Sequence, residues 1–97
     1  MLDKMKQLME VKKQADQLKK ELDQEHIEVT DIKGIKIVIT GSQEFQSIEI
    51  DENLLVPANK NRLQGDLQRS LNSAVKRAQN FAAQKMKSMM GFNIPGL

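Results

Sequence analysis

The side chains with the clearest chemical potential in this chain are cations that recur along two predicted helices. They stand seven residues apart, at Lys6, Lys13 and Lys20 in one helix and at Arg62, Arg69 and Lys76 in the other. Seven residues make about two helical turns, so each set lies on one face of its helix. A row of Lys and Arg on a helix can contact the phosphates of a nucleic acid duplex, an interaction that carries no base information.

The charge of the chain is unevenly distributed along its 97 residues. The formal net charge is +2, of which residues 1–24 carry +1, residues 25–56 carry −5 and residues 57–97 carry +6. Asp66 is the only acid in the last segment. We therefore expect a polyanion to be repelled by the central segment and attracted by the C-terminal one.

Nine cations are the candidates for DNA contacts: Lys12, Lys13, Lys19, Lys20, Arg69, Lys76, Arg77, Lys85 and Lys87. In the first helix these lysines can equally form a solvated face, because Glu10–Lys13 and Asp16–Lys20 have the spacing of helical ion pairs. In the C-terminal segment the cations have almost no acids near them in sequence. Reversing the charges there should therefore weaken DNA binding more than reversing those of the first helix.

Residues that could perform catalysis or bind a metal are few. The only histidine, His26, begins a predicted strand, and the adjacent carboxylates Asp51 and Glu52 fit a turn or a helix cap better than a metal site. The sequence contains no glycine-rich phosphate loop and no nucleophile motif. We expect no enzymatic activity, no catalytic residue, no metal or other cofactor and no small-molecule substrate.

A three-stranded antiparallel sheet is predicted at the centre, within residues 26–51. Apolar and polar residues alternate in His26–Ile32, in Gly34–Thr40 and in Ser47–Asp51, a period of two that is typical of half-buried strands. The apolar pattern pairs Val29 with Ile37, Ile27 with Ile39, Ile37 with Ile48 and Ile35 with Ile50. The first connection then needs a left-handed residue at Gly34, and the second needs a loop with an even number of residues near Gly41.

Two long helices flank this sheet in a single domain of residues 1–97. The first is predicted at residues 1–24, with the apolar seam Leu8, Val11, Ala15, Leu18 and Leu22, and the second at residues 60–90, followed by a flexible tail at 91–97. The second helix has the apolar face Leu63, Leu67, Leu71, Ala74, Ala78, Ala82, Met86 and Met89. Both helices are longer than the strands they cross, so both should project beyond the sheet. We expect a homodimer to cover the projecting apolar residues, among them Leu18, Leu22, Ala78 and Ala82.

The order and spacing of several motifs resemble the YbaB/EbfC family of small bacterial nucleoid-associated proteins. The resemblance lies in Gly34–Ile39, Gly41, Ile48–Asp51, Leu54-Leu55, Asn72–Ala74, Lys85-Met86 and the tail GFNIPGL. It implies an α-β-β-β-α fold of the α+β class and a tweezer-like homodimer that binds double-stranded DNA with projecting helices. The chain departs from the family in a shortened loop at Asp31–Gly34 and in Gln68, Arg69 and Ser70, where relatives are more apolar.

Two functions therefore compete, a nucleoid-associated DNA-binding protein and a prefoldin-like chaperone or assembly factor that grips protein clients between helices. The charge asymmetry favours the first, with weak sequence specificity because phosphate contacts dominate. Only Phe45, Phe81 and Phe92 are aromatic, which disfavours stacking on single-stranded bases. The sequence has no apolar run long enough for a membrane span and no cysteine, so we expect a cytoplasmic protein located at the nucleoid.

Overall fold

The computed structural model describes residues 2–90, which form two helices and a three-stranded sheet in the predicted order. Helix α1 spans Leu2–Gln24 and helix α2 spans Lys60–Met90. The strands between them are β1 (His26–Val29), β2 (Ile35–Thr40) and β3 (Phe45–Ile50). Two short 3-10 turns, Glu52–Leu54 and Pro57–Asn59, connect β3 to α2. The α-β-β-β-α fold expected from the sequence is confirmed, while the predicted tail at 91–97 lies outside the described residues.

The sheet is an antiparallel meander in the order β1-β2-β3, and all four predicted pairings are present. Ile27 lies opposite Ile39 and Val29 opposite Ile37, while Ile35 pairs with Ile50 and Ile37 with Ile48. The apolar period of two fixes this register, since a slip of one residue would turn one strand's isoleucines to the opposite face.

The loop between β1 and β2 differs from the sequence prediction, whereas the loop between β2 and β3 has the predicted even length. Strand β1 ends at Val29 rather than Ile32, because residues 30–34 form a wider loop in which the Ile35 amide donates to the Ile32 carbonyl at 3.1 Å. The β2–β3 loop has four residues, 41–44, an even number as predicted, and Gln43 within it has a φ of 69°. A bulge in β3 beside this loop was not predicted from the sequence; there the pairing shifts between Val38 and Ile39.

The core lies between the sheet and α2. Helix α2 packs across β1 and β2. Its Ala74 and Ala78 pack in one cluster with Val29, Ile37 and Ile39, and each of these five residues is at most 1% exposed. Small residues on the helix let its backbone approach the branched side chains of β2. The central residues of the predicted apolar face are therefore confirmed.

The predicted apolar face of α2 is wrong at both of its edges. Ser70 is 2% exposed and lies on the buried side, whereas Met86 is 43% exposed. At 3.6 residues per turn, each step of four residues turns about 40° past a full rotation, so the successive steps of four from Ala74 to Met86 carry Met86 away from the buried side. Ser70 lies four residues before Ala74, on the same side of the helix as Ala74 and Ala78.

The contact between α1 and the body of the protein is made at the C-terminal end of α1. Gly41, in the β2–β3 loop, donates its amide to the Glu25 carbonyl at 3.1 Å. A Cβ atom at Gly41 would lie 3.0 Å from both the Leu22 carbonyl oxygen and Phe81, so a larger residue would push α1 or Phe81 away by a few tenths of an ångström. Leu18 and Leu22 are half-buried at this contact. The overall dimensions of 67 × 26 × 16 Å confirm the prediction that the helices project beyond the sheet.

Two glycine-to-alanine substitutions should have opposite effects on stability. Gly34 has a φ of 90°, and an added Cβ would lie 2.7 Å from the Leu54 side chain; Gly34→Ala should therefore cost about 2 kcal/mol or more of unfolding free energy. Gly65 lies within α2, where the nearest atom to an added Cβ is 3.8 Å away. Gly65→Ala should stabilise the protein by about 0.5–1 kcal/mol. Urea unfolding of both variants measures these differences, and destabilisation by Gly65→Ala would contradict the described packing.

Candidate nucleic-acid interface

The candidate cations of α2 divide into two groups because the helix is buried on one side only. We call Arg62, Arg69, Lys76 and Lys87 the cation row of α2. They are spaced by seven, seven and eleven residues, which are close to whole numbers of turns and keep them on the side opposite Ala74 and Ala78. Over residues 62–87 the row extends about 38 Å. Arg62, which the sequence analysis did not include among the nine candidates, belongs to this row.

Arg77 lies on the flank of α2 and is held by the loop that follows β1. Its guanidinium Nη2 donates to Asp31 Oδ1 at 2.6 Å, and the Ser73 hydroxyl donates to Asp31 Oδ2 at 2.9 Å. The hydrogen bonds from Ser73 and then Arg77 hold the pKa of the Asp31 carboxyl below its ordinary value. This cluster joins the shortened β1–β2 loop to α2. It also holds Arg77, which the sequence predicted to contact DNA, in an ion pair within the chain.

Lys85 is also directed at an acid, since its Nζ lies 3.7 Å from Glu21 Oε2 on α1. Asp66 forms ion pairs with both Arg62 and Arg69. The expectation that only Asp66 opposes the cations of this helix is therefore wrong, because Asp31 and Glu21 are brought to it by the fold. Arg69 is nevertheless 69% exposed in its side chain, and such surface pairs are weak enough to exchange for a phosphate.

The candidate lysines of α1 lie on a helix that projects into solvent. Lys12, Lys13, Lys19 and Lys20 are all exposed, and the ion pairs described within residues 2–90 involve none of them. The helical pairs expected for Lys13 and Lys20 are thus not formed at contact distance. The acids Glu10 and Asp16 still lie among these lysines, and they reduce the positive potential of this helix.

Other kinds of site were sought within the same part of the chain. Over residues 2–90 no three side chains of His, Cys, Asp or Glu come together as metal ligands would, and no helix there has an apolar stretch that could cross a bilayer. A cleft of about 360 Å3 lies between the β1–β2 loop, the segment that follows β3 and the first turns of α2. One polar side chain of the cleft already has a partner within the chain, since the carboxylate of Asp51 accepts a hydrogen bond from the backbone amide of Asn53 at 2.9 Å.

Replacing Asp31 with asparagine should lower the melting temperature at neutral pH, because the charge-assisted bond to Arg77 is lost. A carboxyl group with a lowered pKa contributes stability above its unfolded value of about 3.9 and loses it as the pH falls through the folded value. The difference between wild type and Asp31→Asn should therefore shrink in acid. Thermal unfolding at several pH values measures it, and in a double-mutant cycle with Arg77→Ala the two effects should not add.

Comparison with known proteins finds a matching family model and several similar proteins. The sequence model of the YbaB/EbfC DNA-binding family matches residues 1–92. A nucleoid-associated protein of Pelotomaculum thermopropionicum is 35% identical over 95 residues, which cover 96% of this chain and 90% of that protein. A nucleoid-associated protein of Clostridium kluyveri is 30% identical over 95 residues, with 96% and 83% covered.

The fold also has a counterpart among crystal structures. An uncharacterized protein from Helicobacter pylori superimposes with a TM-score of 0.79 over 94% of this chain and 98% of that one. The two sequences are 20% identical, so this likeness concerns the fold alone.

Proposed function

This chain belongs to the YbaB/EbfC DNA-binding family, and on that basis we propose that it binds double-stranded DNA as a homodimer, with phosphate contacts supplying most of the affinity. The observation that carries the proposal is the cation row of α2, in which Arg62, Arg69 and Lys76 are exposed and Lys87 is half-buried. The sequence from Leu67 to Met89 contains no acid, so this side of the helix presents positive charge over about one turn of B-DNA. Binding of this kind places the protein at the nucleoid.

The proposed DNA surface consists of the cation row together with the lysines of α1. Arg69, Lys76 and Lys87 remain from the sequence candidates on α2, and Lys12, Lys13, Lys19 and Lys20 from those on α1. Arg77 and Lys85 we assign to holding the structure together, because each faces an acid of another element. The surface resembles a phosphate-binding strip more than a base-specific pocket, which agrees with weak sequence specificity.

The homodimer is proposed for a different reason from the one that the sequence suggested. Leu18, Leu22 and Ala82 are half-buried and Ala78 is fully buried within one chain, so these residues need no partner. Instead, the β3 side of the sheet is open, because α2 lies over β1 and β2. Large apolar side chains are 43–59% exposed here, at Phe45, Ile48, Leu55 and Val56.

A second copy fits this surface, since β3 is an edge strand with both an apolar face and unpaired backbone groups. Pairing two such edges would bury the apolar side chains of both copies. At about 25 cal/mol per Å2, covering several of them contributes several kcal/mol to association. We propose that β3 and the segment following it form the centre of the dimer interface.

A second function is favoured by one observation, the exposed apolar side chains of α1. Met5, Leu8, Met9 and Val11 are 63–70% exposed on the projecting part of this helix, a surface that could hold unfolded clients as a chaperone does. Gel shifts on unrelated duplexes, run beside an assay for suppression of client aggregation, separate the two functions. Retarded duplexes support DNA binding, whereas suppressed aggregation without retardation supports the chaperone.

A further inference from the structure

A second row of polar side chains runs beside the cation row on the exposed side of α2. It consists of four amides, Asn61, Gln68, Asn72 and Gln79, which we call the amide row. Their spacings of seven, four and seven residues keep them on one face of the helix. Asn61 immediately precedes Arg62 and Gln68 immediately precedes Arg69, so the two rows are direct neighbours. All four amides are exposed.

The composition of this face differs from that of an ordinary solvated helix surface. Exposed helices usually alternate cations with acids that stabilise them through ion pairs, as α1 does with Glu10, Asp16 and Asp23. On α2 the positions beside the cations are occupied by neutral amides instead. An amide contributes little to helix stability, but it has both a hydrogen-bond donor and an acceptor to offer to a ligand.

The spacing of the amide row matches the repeat of a DNA duplex. Asn72 and Gln79 are separated by seven residues, or about 10.5 Å along the helix axis, which is close to three base pairs at about 3.4 Å each. The major groove of B-DNA admits an α-helix, and there an Asn or Gln amide can donate to N7 and accept from N6 of adenine. Cations beside the amides would meanwhile contact the phosphates at the groove edge.

We propose that the amide row of α2 contacts base edges in the major groove and gives the protein a preference for adenine-containing sites. This inference rests on the duplex binding proposed above and adds base discrimination to it. Asn72 and Gln79 are the central residues, since they flank Lys76 in the middle of the cation row. The phosphate contacts supply the affinity, and the amides determine which registers along the duplex are preferred.

Modified DNA tests this inference directly. Replacing adenine by 7-deazaadenine removes the N7 acceptor while leaving base pairing and the minor groove intact. In fluorescence anisotropy, wild type should bind an adenine-containing duplex at least about fivefold more tightly than its 7-deazaadenine counterpart. This ratio corresponds to about 1 kcal/mol, the lower end of the range for the contribution of one amide–adenine pair. Asn72→Ala/Gln79→Ala should bind the two duplexes with a clearly smaller difference in affinity, since only Asn61 and Gln68 of the amide row remain.

The matched control is Gln14→Ala/Gln17→Ala, which removes two exposed amides from α1 and should keep the wild-type ratio. Alanine favours the helix more than Asn or Gln does, so neither variant should unfold, and circular dichroism verifies this. Equal wild-type affinity for the two duplexes would overturn the amide proposal while leaving duplex binding intact. Failure to bind either duplex would overturn both the proposed function and this inference.

Discussion

Reversing Arg69, Lys76 and Lys87 together to glutamate is expected to lower the affinity for duplex DNA by at least about 100-fold at 0.1 M salt. Each lost phosphate contact reduces the magnitude of the slope of log K against log salt by about 0.9. At 0.1 M salt this corresponds to a nearly tenfold loss of affinity for each contact. A dimer presents each position twice, so as many as about six contacts are removed. The loss of affinity should be similar for unrelated duplexes, because the phosphates carry no information about the base sequence.

The control for this variant is a triple reversal on the other helix. Lys6, Lys13 and Lys20 are also seven residues apart, and reversing them changes the net charge by the same amount. We expect a smaller loss, because the nearby acids of α1 already reduce the potential of that face. Anisotropy titrations over a salt series measure both variants. An equal or larger loss from the α1 variant would place the main DNA surface on α1 instead.

Replacing Ile48 with glutamate is expected to dissociate the dimer. Ile48 is 47% exposed on the open face of β3, where the proposed interface would bury an unpaired carboxylate at a cost of about 3 kcal/mol or more. The dimer dissociation constant should therefore rise at least about 100-fold. Light scattering at micromolar concentration measures the change as a fall to the monomer mass.

Ser47→Glu provides the matched control, since it introduces the same side chain one position earlier, on the opposite face of β3. This variant should remain dimeric. If Ile48→Glu has the mass of wild type, the interface lies elsewhere, and the exposed apolar residues of α1 become the next candidate. A wild-type chain that is monomeric and still melts cooperatively would contradict the homodimer itself.

The elements and the register of this fold follow from local periodicity. The bounds of α2 and the pairing of β2 with its neighbours were predictable because a helix or strand repeats its apolar side chains at a fixed interval. The bulge in β3 and the left-handed Gln43 were not, because the alternation of apolar residues indicates the overall register but neither an extra residue in one strand nor the φ of a loop residue. Ser70 was likewise missed, because a search for apolar residues passes over a serine that stands on the buried side, four residues before Ala74.

The candidate site was only partly predictable, because sequence spacing reveals ion pairs within a helix but not between elements. Asp31 lies 46 residues before Arg77, and nothing in the sequence indicates that the β1–β2 loop folds back onto α2 to meet it. The pair of Lys85 with Glu21 depends in the same way on how α1 packs against α2. Once these contacts are known, four of the remaining cations of α2, Arg62, Arg69, Lys76 and Lys87, form one row.

Duplex binding by the wild-type protein over a salt series tests the central claim most directly. Fluorescence anisotropy with two unrelated duplexes should give dissociation constants that rise steeply with salt and differ only modestly between the duplexes. A cation row that contacts DNA in both protomers predicts a slope of log K against log salt of about −4 or steeper, from at least four or five phosphates. Absence of binding at low salt, or binding that is insensitive to salt, would contradict this account.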